Sequence, residues 1–302
     1  MDFESLKKSS SNFDAITKAL ETKLAPEDQS NKNKYQDDRL WKPELDKTGN
    51  GYAVIRFLPA SNGEEMPWQR VWTHAFQDKG GWFIENSLTT LNQKDPVSEE
   101  NTRLWNTGVD SDKEIARKRK RKLSYYSNIY VVSDPKHPEN EGKVFLFKFG
   151  KKIFDKITEA MNPEFADEVP VNPFDLWDGA NFKLKIRNVE GYRNYDKSEF
   201  ADKEPVMGGD DDKLENLWKQ EYSLKEFLEE KNFKSYDVLK ARLDKVLGFE
   251  GEVAPRTTAE DAVVEAVSPS NYELDSGLSQ VDAAIASDGD DDLDYFKNLA
   301  EG

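Results

Sequence analysis

The densest run of chemically useful side chains in the sequence is Arg117-Lys118-Arg119-Lys120-Arg121-Lys122-Leu123-Ser124-Tyr125-Tyr126. Consecutive cations lead straight into paired tyrosines. Cations attract phosphate and release its counterions, while a tyrosine ring offers a face on which a base can stack, about 1–3 kcal/mol per base. Stacking of this kind needs unpaired bases, so the pairing points to single-stranded nucleic acid. A solvated basic loop beside core tyrosines would carry the same letters.

Other aromatics stand near cations. Phe145, Phe147 and Phe149 alternate along one strand and share a face, either core or stacking platform, with two of the three expected inside. Tyr192-Arg193-Asn194-Tyr195 follows a strand and suits an exposed platform. Arg56 interrupts the apolar run Tyr52 to Leu58 and needs a partner or a phosphate there. The N-terminus carries Lys7-Lys8-Ser9-Ser10-Ser11. Near the C-terminus, Asp288-Gly289-Asp290-Asp291-Asp292-Leu293-Asp294-Tyr295-Phe296 ends an acidic run in apolar side chains, a pattern that suits a docking peptide as well as a solubilising tail.

Signals for catalysis are poor. Gly150-Lys151-Lys152 lacks the upstream glycine and the hydroxyl of a phosphate-binding loop, and Gly49-Asn50-Gly51 lacks the third glycine of a dinucleotide fingerprint. The two histidines, His74 and His137, lie far apart, and no spacing singles out a carboxylate pair. No catalytic residue is assigned. Zero Cys excludes disulfides and thiolate metal sites. No apolar run approaches the about 20 residues that span a bilayer, and the start has no apolar leader, so a soluble intracellular protein without membrane partners is expected.

The 302 residues carry a net charge of −16, unevenly spread. Residues 251–302 hold 13 acidic and 2 basic side chains, net −11, whereas residues 113–122 are net +6. Screening confines each patch to about 8 Å at physiological salt, so an acidic average is compatible with a basic groove.

The elements that must position these groups follow from periodicity. Residues 1–45 read as an arm with one short helix capped at Ser11 or Asn12 and stopped by Pro26. Strands are predicted over Tyr52–Leu58, Trp68–Phe76, Trp82–Ile84, Tyr125–Val132, Lys143–Phe149 and Phe182–Val189, with a hairpin at Lys79-Gly80-Gly81. A helix begins after Gly150 and buries Ile153 and Ile157. Residues 211–248 read as helical, with Leu214, Leu217, Trp218, Leu224, Phe227 and Leu228 as one stripe and a second helix from Ser235 to Gly248. Residues 249–302 have the composition of a disordered acidic tail. The whole is α+β, built on a small barrel.

Several ordered runs resemble the T4-type bacteriophage single-stranded-DNA-binding (helix-destabilising) proteins. They are Gly49-Asn50-Gly51-Tyr52-Ala53-Val54-Ile55-Arg56-Phe57-Leu58-Pro59, Lys120-Arg121-Lys122-Leu123-Ser124-Tyr125-Tyr126-Ser127-Asn128, Asp134-Pro135 through Phe145, and Phe149-Gly150-Lys151-Lys152-Ile153-Phe154-Asp155-Lys156-Ile157. Trp177 to Phe182 and Asn194-Tyr195-Asp196 continue the match, which spans about residues 40–247. The resemblance implies an OB-fold DNA-binding core over residues 46–248 with an inserted subdomain. It implies a basic arm over 1–45 for self-association through Lys7, Lys8, Ser9, Ser10 and Ser11, and an acidic tail over 249–302 for replication and recombination proteins. DNA contacts carried over from the family fall on Arg56, Lys120, Arg121, Lys122, Tyr125, Tyr126, Phe147, Tyr192 and Tyr195, with Trp105 as a further position.

One departure is large. The family's zinc site takes one His and three Cys. His74 is retained, but Ser87, Asp95 and Ser98 stand at the Cys positions. Structural zinc is normally tetrahedral with N and S ligands, and three of the four are gone together, so no zinc and no other cofactor is expected, and residues 86–112 must be held by packing, with Trp82 and Trp105 as candidates, or stay partly mobile. The expected function is cooperative, sequence-independent coating of single-stranded DNA during phage replication, recombination and repair in the cytoplasm of the infected host. An acidic adaptor protein with incidental nucleic-acid contact, or a single-stranded RNA binder, remains an alternative, since 2′-OH contacts are not readable from these residues.

Overall fold

A computed structural model describes residues 37–165 and 167–249. The expected N-terminal helix, the Lys7–Ser11 motif and the acidic tail lie outside the described residues. The chain divides into two units between Leu40 and Trp41, within the two-residue strand β1 (Leu40–Trp41). Of the first unit only residues 37–40 are described, where Asp37 accepts hydrogen bonds from the backbone N–H and guanidinium of Arg39.

In the second unit the strands are β2 (Gly51–Phe57), β3 (Gln69–Asp78), β4 (Gly81–Asn86), β5 (Lys122–Ser133), β6 (Val144–Phe149), β7 (Ala180–Val189), β8 (Tyr192–Asn194) and β9 (Glu199–Lys203). The helices are α1 (Pro96–Asn106), α2 (Asp110–Lys118), α3 (Lys151–Met161), α4 (Asp211–Trp218) and α5 (Tyr236–Leu247). The strand pairings given below are all antiparallel. β5 is central: its first half pairs with β3, from Thr73↔Lys122 to Gln69↔Tyr126, and its second half with β2, from Phe57↔Ile129 to Val54↔Ser133. Along its other edge β5 pairs with β6, while β2 also pairs with β7, and β7 with β8 and β9.

Because side chains alternate across a strand, one face of this sheet is continuous apolar surface. Ile55 and Phe57 of β2, Ile129 and Val131 of β5, and Phe182 and Leu184 of β7 are fully buried in one cluster, which α3 caps with Ile153 and Ile157. A second cluster joins Phe76 and Phe83 of the β3–β4 hairpin to Leu239, Leu243 and Val246 of α5. α5 ends at Gly248, whose φ of 80° gives the left-handed cap expected there. The hairpin tip is fastened to that end of the helix. Gly80 N–H donates to Val246 O at 2.8 Å, and a Cβ at Gly80 would lie 2.1 Å from Lys245 O. A third cluster holds α4, through Leu214 and Leu217, against Leu58 and Val144.

The strand pattern and α3 and α5 agree with the periodicity to within a few residues. Two expectations need correction. The apolar stripe drawn through residues 214–228 is not one helix: α4 stops at Trp218, and Leu224–Leu228 is a separate 3-10 turn. Trp82 does not hold the inserted segment, because it is 37% exposed on β4. That segment instead forms α1 and α2, which pack against each other through Leu104, Ala116 and Trp105.

Candidate nucleic-acid interface

The basic run is structured from both sides. Lys113, Arg117 and Lys118 lie on α2, where Asp110 and Asp112 in the first turn and the cations in the last complement the helix dipole. Lys113 Nζ and the Arg117 guanidinium sit over the Trp105 ring of α1, 5.7 and 5.4 Å from its centroid, a cation–π arrangement. Arg119 turns inward, with an ion pair to Asp78 at 2.5 Å. Lys120, Arg121 and Lys122 are half-buried where the chain enters β5. The Arg121 guanidinium lies 4.1 Å from the centroid of Trp72.

The tyrosines do not stand as the sequence suggested. Tyr125 is only 6% exposed. It belongs to a ladder of stacked rings in which Phe147 meets Phe149 at 5.4 Å, Phe149 meets Tyr125 at 5.7 Å, and Tyr125 meets Phe154 of α3 at 4.0 Å and 8°. Both of its faces are taken, so it buttresses Phe154 rather than receiving a base. Phe147 is core for the same reason, and the expectation that two of the three β6 phenylalanines are inside holds for Phe147 and Phe149. Tyr126 points to the opposite face of β5, where Phe227 stacks on it at 4.1 Å and Lys148 Nζ stands 6.0 Å from its centroid. The turn bearing Phe227 is tied down nearby: Asn128 Nδ2 donates to Tyr222 O at 2.8 Å, and Tyr222 N–H donates to Asn128 Oδ1 at 2.9 Å.

Arg56 is fully buried and donates to the carbonyl of Glu204. Burial lowers its pKa, and the nearby Glu204 and Asp175 carboxylates oppose that shift. Its Nε and Nη1 have no hydrogen-bond partner in the structure. The partner that Arg56 requires is therefore protein backbone, and a surface phosphate does not reach it in this arrangement. Tyr192 is 55% exposed on β8, as a platform requires. Tyr195 is half-buried against the main core, and burial pushes its hydroxyl pKa up.

Three half-buried or exposed residues at the start of β3 carry no binding expectation from the sequence, Trp68 immediately before the strand and Arg70 and Trp72 on it. Trp68, Arg70 and Trp72 recur every second residue. Register pairs Arg70 with Tyr125 and Trp72 with Leu123, so these side chains share the face of the ring ladder. Trp68 closes the ladder edge-on, 5.4 Å from Phe154. The period-two spacing Trp-x-Arg-x-Trp is the signal in the sequence that sets all three on one face.

The residues at the four zinc positions form a closed hydrogen-bonded cluster. His74 and Asp95 are buried, with His74 Nε2 3.1 Å from Asp95 Oδ1 and His74 Nδ1 3.2 Å from Arg119 O. Ser87 Oγ and the Leu88 N–H donate to Asp95 Oδ2, and the Val97 and Ser98 N–H groups donate to Oδ1. Asp95 thereby caps α1, with Pro96 in the first turn. Burial alone would raise the Asp95 pKa, but the hydrogen bond and charge of His74, with the Ser98 N–H and Ser87 hydroxyl, hold it well below the ordinary carboxylate range. These donors do not fit zinc. Both Asp95 oxygens and both His74 nitrogens are engaged, and Ser98 Oγ, buried without a partner, is a lone hydroxyl where a thiolate would be needed.

Comparison with known proteins adds the lineage. The family model described as "gp32 DNA binding protein like" matches residues 49–247. The single-stranded DNA-binding protein of Enterobacteria phage T2 is 38% identical over 279 residues, covering 87% of this chain and 91% of that protein. The protein of the same description from Enterobacteria phage T4 is 37% identical with the same coverage.

Proposed function

The chain belongs to the gp32-like DNA-binding family, and from that premise we propose that it binds single-stranded DNA without sequence preference, coating and protecting it and destabilising duplex during phage replication, recombination and repair. The observation that carries this reading is the α2–β5 junction. In a chain of net charge −16, seven of the ten residues 113–122 are cations, and they lie along one helix end and one strand start with indoles beneath Lys113, Arg117 and Arg121. Cations over rings are the components of a sequence-tolerant single-strand site. Binding only unpaired strand lowers the free energy of melted DNA, so duplex melts by mass action.

Within this reading the core is of OB type, supported by the way β5 serves both β3 and β2. Lys7, Lys8, Ser9, Ser10 and Ser11 dock on a neighbouring subunit and make binding cooperative. The tail over 249–302 receives replication and recombination proteins and competes with DNA for the cations, and the protein works without zinc in the host cytoplasm. Among the described residues no helix is long and apolar enough to cross a membrane.

The test is a salt-dependent titration of the full chain with labelled oligo-dT, oligo-rU and duplex DNA. Tight dT binding that falls steeply with salt, with duplex much weaker, supports the proposal. Absence of dT binding leaves the adaptor reading, and preference for rU moves the substrate to RNA.

A further inference from the structure

We propose that the Trp68–Arg70–Trp72 edge of β3, with Arg121 laid on the Trp72 indole, is a stacking strip for unpaired bases; the inference rests on single-strand binding and says where on the sheet the bases go. The tyrosines that the basic run leads into are unavailable, since Tyr125 is sandwiched by Phe149 and Phe154 and Tyr126 is covered by Phe227. Beside Tyr125 on that face, Trp68, Trp72 and Phe154 are all partly exposed.

Their placement suits an extended strand. Trp72 belongs to neither hydrophobic core: on one side Arg70 pairs with Tyr125 of the first core, on the other Phe76 belongs to the second, and its cross-strand neighbour Leu123 packs against the first. Trp72 and Leu123 together leave apolar surface partly exposed to solvent. The backbone beneath the indole is fixed: the Trp72 N–H donates to Thr90 Oγ1 at 2.9 Å, and Trp72 O accepts from the Ser87 N–H at 2.8 Å. The four-residue step from Trp68, just before β3, to Trp72 on it separates the two indoles by about 13 Å at the rise of extended chain, too far for one base to span. Each indole thus takes its own base, and exposed Arg70, midway on the same face, is placed for the connecting phosphates. Arg121 adds a second cation at the end where the basic run arrives. Paired bases offer no free face to such a strip, which makes the ligand single-stranded.

The experiment measures labelled oligo-dT binding by fluorescence anisotropy across a salt series for wild type, W72L, W72F and R70Q, each checked by thermal melting. W72L is expected to weaken dT binding about 5–10-fold, with W72F restoring most of it. R70Q is expected to lower the slope of log K against log salt by about 0.7 while leaving the melting temperature in place. If wild type binds dT but W72L and R70Q match it in affinity and slope, the strip is overturned and single-strand binding stands. If wild type fails to bind, both fall. Should W72L prove unstable, R70Q decides alone, because its exposed side chain supports no core.

Discussion

Asp95 carries two loads at once: its carboxylate faces His74 Nε2 across 3.1 Å and also caps α1 through the N–H groups of Val97 and Ser98. A buried ion of this kind is tolerable only with every lone pair occupied, and here hydroxyl, imidazole and backbone occupy them. The inserted segment is thus cross-linked through one aspartate, which ties the start of α1 to His74 of β3 and to Ser87.

Stability should therefore be indifferent to chelators and sensitive to Asp95. We expect the melting temperature to be the same with and without excess EDTA. D95A should cost about 3–5 kcal/mol by chemical denaturation, the range for breaking a buried pair. A chelator-induced drop of several degrees would overturn the proposal that the protein works without zinc.

Glu221 sets a pH dependence. Burial, and then the neighbouring Glu64, push its carboxyl up to about 8 from an ordinary 4.5, and neither oxygen has a hydrogen-bond partner in the structure. A carboxyl held protonated in the fold contributes stability that is complete below the unfolded value and lost as pH rises through the folded one. Stability should decline between about pH 4.5 and 8 from this group. E221Q should flatten that decline and add on the order of 1–2 kcal/mol at pH 8. Urea denaturation at pH 5, 6.5 and 8 measures it, and identical slopes for E221Q and wild type would refute it.

Tyr125 and Tyr192 should separate stability from binding. Y125L breaks the ring ladder and should cost about 2–3 kcal/mol of folding free energy. Y192A, on an exposed ring, should leave the melting temperature unchanged and weaken oligo-dT binding about fivefold. The reverse pattern would return Tyr125 to the surface role that its sequence position suggested.

Asn128 should govern the turn that covers Tyr126. N128A removes both hydrogen bonds that Asn128 makes with the Tyr222 backbone, a loss of about 1–3 kcal/mol. Limited proteolysis should then cut first between residues 219 and 234. Unchanged protection there would mean that Phe227 alone holds the cover.

Much of this was legible beforehand because alternation and caps are local signals. Phe182, Leu184 and Ile186 alternating with Lys183, Lys185 and Arg187 specify β7, and Gly248 stops α5, without reference to anything distant. What failed depends on contacts far apart in sequence. Nothing near Tyr126 announces Phe227, about a hundred residues later, and nothing near Arg56 announces the Glu204 carbonyl. A tyrosine's exposure is decided by what lands on it. The start of α1 has a local signal in Asp95-Pro96, which the resemblance obscures by setting Asp95 at a metal-ligand position.

The clasp between Gly80 and Val246 bears on how the molecule can be shortened. A version trimmed of its anionic extension has to retain everything through Gly248. Cutting a turn earlier would remove Val246 and Leu247 from beneath Phe76 and Phe83 and would loosen the hairpin that continues into Trp72. Any gain or loss of affinity in such a trimmed protein would then report damage to β3 as much as relief from negative charge.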